Sequence, residues 1–126
     1  MAALCEILSE LRKDCHLSQK QMAEMLHVSA GTISNYETGR YAPNYDTLIK
    51  LADFFDVSTD YLLGRTSQRL PISKLNKEYY RGKSVGELME TILSIHEQDR
   101  ELVVKALELI QVYDSDKESK TEKRRL

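Results

Sequence analysis

The chain has 126 residues, 41% of them hydrophobic, and its 18 basic and 20 acidic side chains leave a net charge of −2. That length suits one compact domain with an appendage, or two very small domains, and no apolar run approaches the roughly 18 residues of a membrane span. The opening Met1-Ala2-Ala3-Leu4 lacks the basic start and apolar stretch of a signal peptide, so the expectation is a cytoplasmic protein.

Leu4, Ile7, Leu8 and Leu11 recur at helical spacing and predict a first helix over residues 2–14, with Glu6, Glu10, Lys13 and Asp14 on its wet side. Cys5 and Cys15, if they share that helix, lie about 15 Å apart, beyond disulfide reach. Both read as buried small hydrophobes. A redox or metal role for Cys5, Cys15, His16 and His27 is the alternative, but only the adjacent Cys15-His16 is spaced like ligands. No metal site and no cofactor are expected.

Ser18 followed by Gln21 is a capping-box pattern and starts a second helix, whose inner face is Met22, Ala23 and Leu26. The pattern breaks at His27, and Ser29 offers a second N-cap. Beyond it Ile33 and Tyr36 point one way while Thr32, Ser34 and Asn35 point elsewhere, until Gly39 supplies a stop. His16 and His27 read as turn residues, histidine being enriched at positive φ. Two helices with only three residues between them must cross steeply, and Ala23 is small enough to permit close approach. The reading is a helix-turn-helix.

Residues 40–45 form a loop in which Pro43 disfavours helix at Ala42 and Asn44 caps the next helix, lined by Leu48, Leu51, Ala52 and Phe55 and ending near Asp56. Ser58 caps a short fifth helix that Gly64 stops. Periodicity then fades, and residues 67–83 read as a linker or an irregular wrap. Ser84 with Glu87 makes another capping box. Two apolar stripes follow, Val85 to Ile95 and Leu102 to Tyr113, for which an antiparallel helical hairpin over 84–114 is the simplest arrangement. Residues 115–126 are charged or hydroxylic and are expected to be frayed or disordered. The resulting division is a domain at 1–66, a linker at 67–83, a hairpin at 84–114 and a tail.

These residues carry a family resemblance. Leu17-Ser18-Gln19, Ala23, Val28-Ser29, Ile33, Tyr36-Glu37-Thr38-Gly39-Arg40, Pro43 and Val57 through Gly64 together resemble the xenobiotic-response-element family of helix-turn-helix regulators, related to Cro and the lambdoid phage repressors. The resemblance covers residues 4–65. It implies an all-α fold with a five-helix lambda-repressor-like domain whose third helix enters the major groove of double-stranded DNA. It also implies a partly buried ion pair between Arg12 and Glu37, and a phosphate contact at Gln19. His27 departs from the pattern, which often has glycine there.

A helix-turn-helix presents the start of its second helix to base edges, which nominates Ala30, Gly31, Thr32, Ser34 and Asn35. Asparagine pairs bidentately with adenine, and alanine or threonine methyls can meet the thymine methyl. For the DNA backbone the candidates are Gln19, Lys20, Ser29, Arg40, Asn44 and Tyr45, with Tyr41 as either a phosphate donor or a packing residue. Charge is the difficulty. Residues 1–68 hold six cations (Arg12, Lys13, Lys20, Arg40, Lys50, Arg65) against nine acids (Glu6, Glu10, Asp14, Glu24, Glu37, Asp46, Asp53, Asp56, Asp60), whereas DNA-binding domains are expected to be basic. Pairing two copies would double the cations, and Leu88, Ile92, Leu102, Val103, Leu107, Ile110 and Tyr113 are the expected dimerisation residues.

The predicted function is a homodimeric, sequence-specific DNA-binding transcriptional repressor that reads the major groove with helix 29–38. The alternative is a protein-interaction module, an antitoxin or adaptor, that meets a protein partner through residues 84–114 and binds DNA weakly. No nucleophile with a base, carboxylate pair or glycine-rich phosphate loop suggests an enzyme.

Overall fold

The computed structural model describes residues 3–125, and the chain divides into two compact units between Glu78 and Tyr79. The first unit opens with five helices, α1 (Leu4–Asp14), α2 (Gln19–Leu26), α3 (Ala30–Glu37), α4 (Tyr45–Phe55) and α5 (Thr59–Leu62). Four of them start on a side-chain cap. Ser18, Ser29, Asn44 and Ser58 sit in extended backbone and accept from the N–H groups of Gln21, Thr32, Thr47 and Tyr61. The Gln21 amide oxygen accepts in return from the Ser18 N–H at 2.8 Å, completing the predicted box.

All five helices stop by one device. His16, His27, Gly39, Asp56 and Gly64 adopt the left-handed conformation, with φ from 51° to 71°. The next N–H then reaches back five residues in every case: Leu17 to Arg12, Val28 to Ala23, Arg40 to Asn35, Val57 to Ala52 and Arg65 to Asp60. Glycine enters that conformation freely, but each of the other three residues costs about 1 kcal/mol. The cost is offset where the following residue is apolar and packs inward, as Val28 and the buried Val57 do. The two histidines are therefore turn residues, as expected. Asp56 takes the same part, aspartate being enriched at positive φ as histidine is.

The core draws Ile7, Leu8 and Leu11 from α1, Met22 and Ala23 from α2, Ile33 from α3, Leu51 and Ala52 from α4, then Val57 and Leu62. Leu4, Leu26, Leu48, Tyr36, Phe55 and Tyr61 close around it. Each fully buried aliphatic side chain contributes about 1.5–3 kcal/mol. α3 lies against both α1 and α2, so Ile33, 1% exposed, is the pin on which α3 is seated. Cys5 is half-buried beside Gly39, but Cys15 is exposed, not a buried hydrophobe. Cys15 continues the line of Leu8 and Leu11, but it is the cap residue beyond the last turn of α1, where the helix no longer carries it into the core.

The first unit runs past the expected boundary at residue 66. Arg69 pairs with Asp14 at 2.8 Å, and a short helix α6 (Ile72–Leu75) returns to the domain through Ser73. The Ser73 N–H and hydroxyl donate to the two Asp56 carboxylate oxygens at 2.8 and 2.7 Å. Those bonds hold the Asp56 carboxyl below its ordinary pKa. Of the two readings of residues 67–83, the wrap describes its first part. A two-stranded sheet follows, β1 (Glu78–Tyr80) with β2 (Lys83–Ser84), and Arg81 and Gly82 at φ 51° and 77° make the two-residue turn.

In the second unit α7 (Val85–Ser94) begins at the predicted Ser84–Glu87 box, and one 3-10 turn (Glu97–Asp99) leads into α8 (Arg100–Arg125). α8 continues beyond the expected end at residue 114 and through the segment expected to be disordered. No glycine or proline follows Gly86, and glutamate, lysine and arginine are good helix formers. Ser115 and Thr121 bond back to the carbonyls of Gln111 and Lys117, and the Lys117 ammonium lies 4.7 Å from the Tyr113 ring centre. Among the described side chains from Tyr79 to Glu122, none is fully buried. Among the described residues no helix is long and apolar enough to cross a membrane.

Candidate nucleic-acid interface

The orientation of α3 is fixed at both ends. At its C-terminal end Glu37 receives Arg12 in a bidentate pair, Nε to Oε1 at 2.5 Å and Nη2 to Oε2 at 3.0 Å. The third Arg12 nitrogen, Nη1, donates to the Leu17 carbonyl at 2.7 Å, so one guanidinium ties α1, the α1–α2 turn and α3 together. The side chains are 13% and 7% exposed. Burial alone would push the Glu37 carboxyl up, but hydrogen bonds from Arg12 and Gln19 outweigh it and hold the group below its ordinary value. The same hydrogen bond raises Arg12, against the opposing effect of burial. At the N-terminal end Ser29 caps the helix, and its hydroxyl shares a 2.8 Å hydrogen bond with that of Thr32.

Gln19 belongs to this network. Its amide nitrogen donates to Glu37 Oε2 at 2.9 Å, a link across 18 positions that local pattern cannot reveal. A side-chain amide carries two N–H groups. One is committed to Glu37 and the other is left for an outside acceptor, so the first turn of α2 and the last turn of α3 are held by the same carboxylate.

The outer side of α3 presents the five nominated readers. Ala30 and Gly31 are exposed, while Thr32, Ser34 and Asn35 are partly exposed. A Cβ at Gly31 would meet nothing closer than Ser29 Oγ at 3.7 Å, an ordinary contact. The fold itself thus does not require glycine there, although glycine costs a helix about 1 kcal/mol relative to alanine. The Asn35 carbonyl accepts from Arg40, Tyr41 and Thr38, which anchors the loop after α3. Around this face Lys20, Ser29, Arg40, Tyr41, Asn44 and Tyr45 are exposed, Tyr41 by 65% and Tyr45 by 74%. Ser29 and Asn44 each spend a side-chain oxygen as a cap. The Asn44 amide N–H groups remain available as donors.

The residues nominated for pairing lie in the second unit. Ile92, Leu102, Leu107, Ile110 and Tyr113 are exposed, and Leu88 and Val103 are half-buried. Leu93, Leu109 and Val112, which were not nominated, are exposed by 77%, 71% and 63%.

Two short helices crossing at a left-handed turn, with the second seated by a buried isoleucine and a partly buried ion pair and its outer face left open, define a helix-turn-helix domain. A family model described as helix-turn-helix matches residues 8–62. The chain is 36% identical over 85 residues to the HTH-type transcriptional regulator ImmR of Bacillus subtilis, a match covering 68% of this chain and 64% of that protein, so it spans a little under two thirds of that relative. It is 33% identical to the HTH-type transcriptional regulator YqaE of Bacillus subtilis, covering 70% of this chain and 81% of the relative. With the cryptic phage CTXphi transcriptional repressor RstR of Vibrio cholerae it shares 31% identity, covering 72% and 88%. The chain belongs to the xenobiotic-response-element type of helix-turn-helix regulators.

Proposed function

We propose that this chain is a sequence-specific, double-stranded DNA-binding transcriptional repressor that works as a homodimer and reads the major groove with residues 29–38. The observation that carries the reading is the open outer face of α3, rigidly held by Arg12, Glu37 and Ile33 and carrying Asn35 among small side chains. Asn35 contacts adenine, and Thr32 with Ala30 supplies methyl contacts to thymine. Gly31 lets the α3 backbone come close to the bases. Gln19, Lys20, Ser29, Arg40, Tyr41, Asn44 and Tyr45 hold the phosphates on either side. The resemblance to a named phage repressor supports the direction of regulation.

The test is selection of bound fragments from random duplex DNA, followed by titration of the recovered site with Asn35→Ala. The variant should lose about 1–3 kcal/mol of discrimination at one base pair and little elsewhere. An unchanged preference would remove Asn35 from readout, and no enrichment at low salt would favour the interaction-module alternative.

Pairing is supported by the second unit, where long apolar side chains stand exposed and none of the described residues 79–122 is fully buried. A second copy meeting α7 and α8 would cover them and set two reading helices on half-sites about 34 Å apart. Leu107→Glu in the full chain should therefore give a monomer by light scattering and weaken operator binding. A variant that stays dimeric would move the interface elsewhere.

A further inference from the structure

Residues 1–68 are poorly supplied with positive charge, and the chain places a run of cations just after them. From residue 69 to residue 83 there are Arg69, Lys74, Lys77, Arg81 and Lys83 against the single acid Glu78. Arg69 is engaged with Asp14, and the other described ion pairs use Arg12, Arg65 and Lys105. The segment culminates in the β1–β2 hairpin. Its turn raises Arg81 into the left-handed conformation, and Tyr79, Tyr80, Arg81 and Lys83 are all exposed, the tyrosines by 70% and 63%. The Arg81 guanidinium lies 5.1 Å from the centre of the Tyr80 ring, which orders it over an aromatic plane. Consecutive strand residues face opposite ways, so Tyr79 and Tyr80 offer a phenol on each face of this narrow ribbon, with Arg81 and Lys83 adding positive charge at its tip.

We propose that the Tyr79–Lys83 hairpin is a second DNA-contacting element, a phosphate-binding wing that grips the duplex backbone with Arg81 and Lys83 as charged donors and Tyr79 and Tyr80 as neutral ones. This rests on the DNA-binding reading above and deepens it. The chemistry fits phosphate: arginine forks match its oxygens, and tyrosine hydroxyls donate to them. The hairpin adds grip but no sequence preference. It thereby adds to the modest counterion release available from residues 1–68, which hold nine acids to six cations.

The experiment measures affinity of the full chain for a random-sequence duplex and for a selected operator by anisotropy, from about 50 to 200 mM salt. The variant is Arg81→Asn with Lys83→Gln, since asparagine tolerates the left-handed turn, and circular dichroism checks that it is folded. Each neutralised phosphate contact lowers the slope of log affinity against log salt by about 0.9, so the double variant should lose about 1.8 per protomer on both duplexes. Its operator preference should remain that of the parent. The variant Arg81→Lys with Lys83→Arg should keep the parental slope. An unchanged slope in the double variant, with Asn35→Ala still altering preference, overturns the wing and leaves the recognition helix intact. Loss of binding to anionic lipid vesicles with the DNA slope unchanged also overturns it. A parent chain that binds neither duplex overturns both readings.

Discussion

Arg12→Ala is expected to destabilise the first unit by about 3 kcal/mol, the lower end for stranding one charge of a buried pair. The expectation follows from geometry. Glu37 would keep one bond, from Gln19, while losing both bonds from the guanidinium, and the Leu17 carbonyl would lose its donor. The lower end applies because Arg12 keeps 13% exposure, so water can reach part of the vacated site. Urea unfolding measures it as a lower midpoint at constant slope. Replacing both partners together, Arg12→Met with Glu37→Leu, should cost much less, because no charge is then left without a partner. If the double replacement costs as much as the single one, the pair is not what stabilises the helix.

The pair also sets a pH dependence whose sign is determined. The Glu37 carboxyl lies below its ordinary value in the folded chain. Its contribution to stability is therefore complete above the unfolded carboxylate value of about 4.3 and is lost as pH falls through the lower folded value. Arg12 stays charged throughout that range. Melting temperature should fall with acid more steeply in the parent chain than in Glu37→Gln, and parallel curves would contradict the assignment.

The other large effect is expected at Ile33. Ile33→Ala should cost about 3 kcal/mol and Ile33→Val about 1 kcal/mol, as a cavity opens in proportion to the methyl groups removed. Ile33 is 1% exposed and lies where α3 meets α1 and α2, so the space cannot be refilled from solvent. The alanine variant should lose operator affinity even at temperatures where it remains folded, because the reading helix is no longer seated. Full affinity in a folded Ile33→Ala chain would show that Arg12 and Glu37 alone suffice to aim α3.

What sequence pattern makes legible here is whatever is written locally. Ser18 and Gln21, Ser29, Asn44, Ser58 and Gly39 are read within one helical turn of themselves, and the apolar spacing of Leu8, Leu11, Met22 and Ile33 specifies the faces between them. That Ala30, Gly31, Thr32, Ser34 and Asn35 would lie on the outer side of α3 was legible for the same reason, being what remains once Ile33 and Tyr36 turn inward. The features that escaped are polar and distant. Gln19 to Glu37, Asp14 to Arg69 and Asp56 to Ser73 link residues 18, 55 and 17 positions apart. Such pairs leave no periodic trace. Arg81-Gly82 escaped because the turn it makes is signalled by asparagine or aspartate before glycine. The length of α8 escaped because charge was weighed above helix propensity; with no breaker after Gly86, the propensity of lysine and glutamate carries the helix to Arg125.

That none of the described side chains of residues 79–122 is fully buried bears on dosage. The first unit has a core of its own, around Leu8, Leu51 and Leu62, drawn from a single chain. Under the pairing proposed, α7 and α8 gain their interior only when two chains meet, so that half of the molecule is ordered by concentration as much as by sequence. While protomers are scarce, the paired species varies with the square of their number, and so does the occupancy of a two-site operator. Under that pairing, a regulator of this build answers more than proportionally to small changes in its own synthesis and turnover.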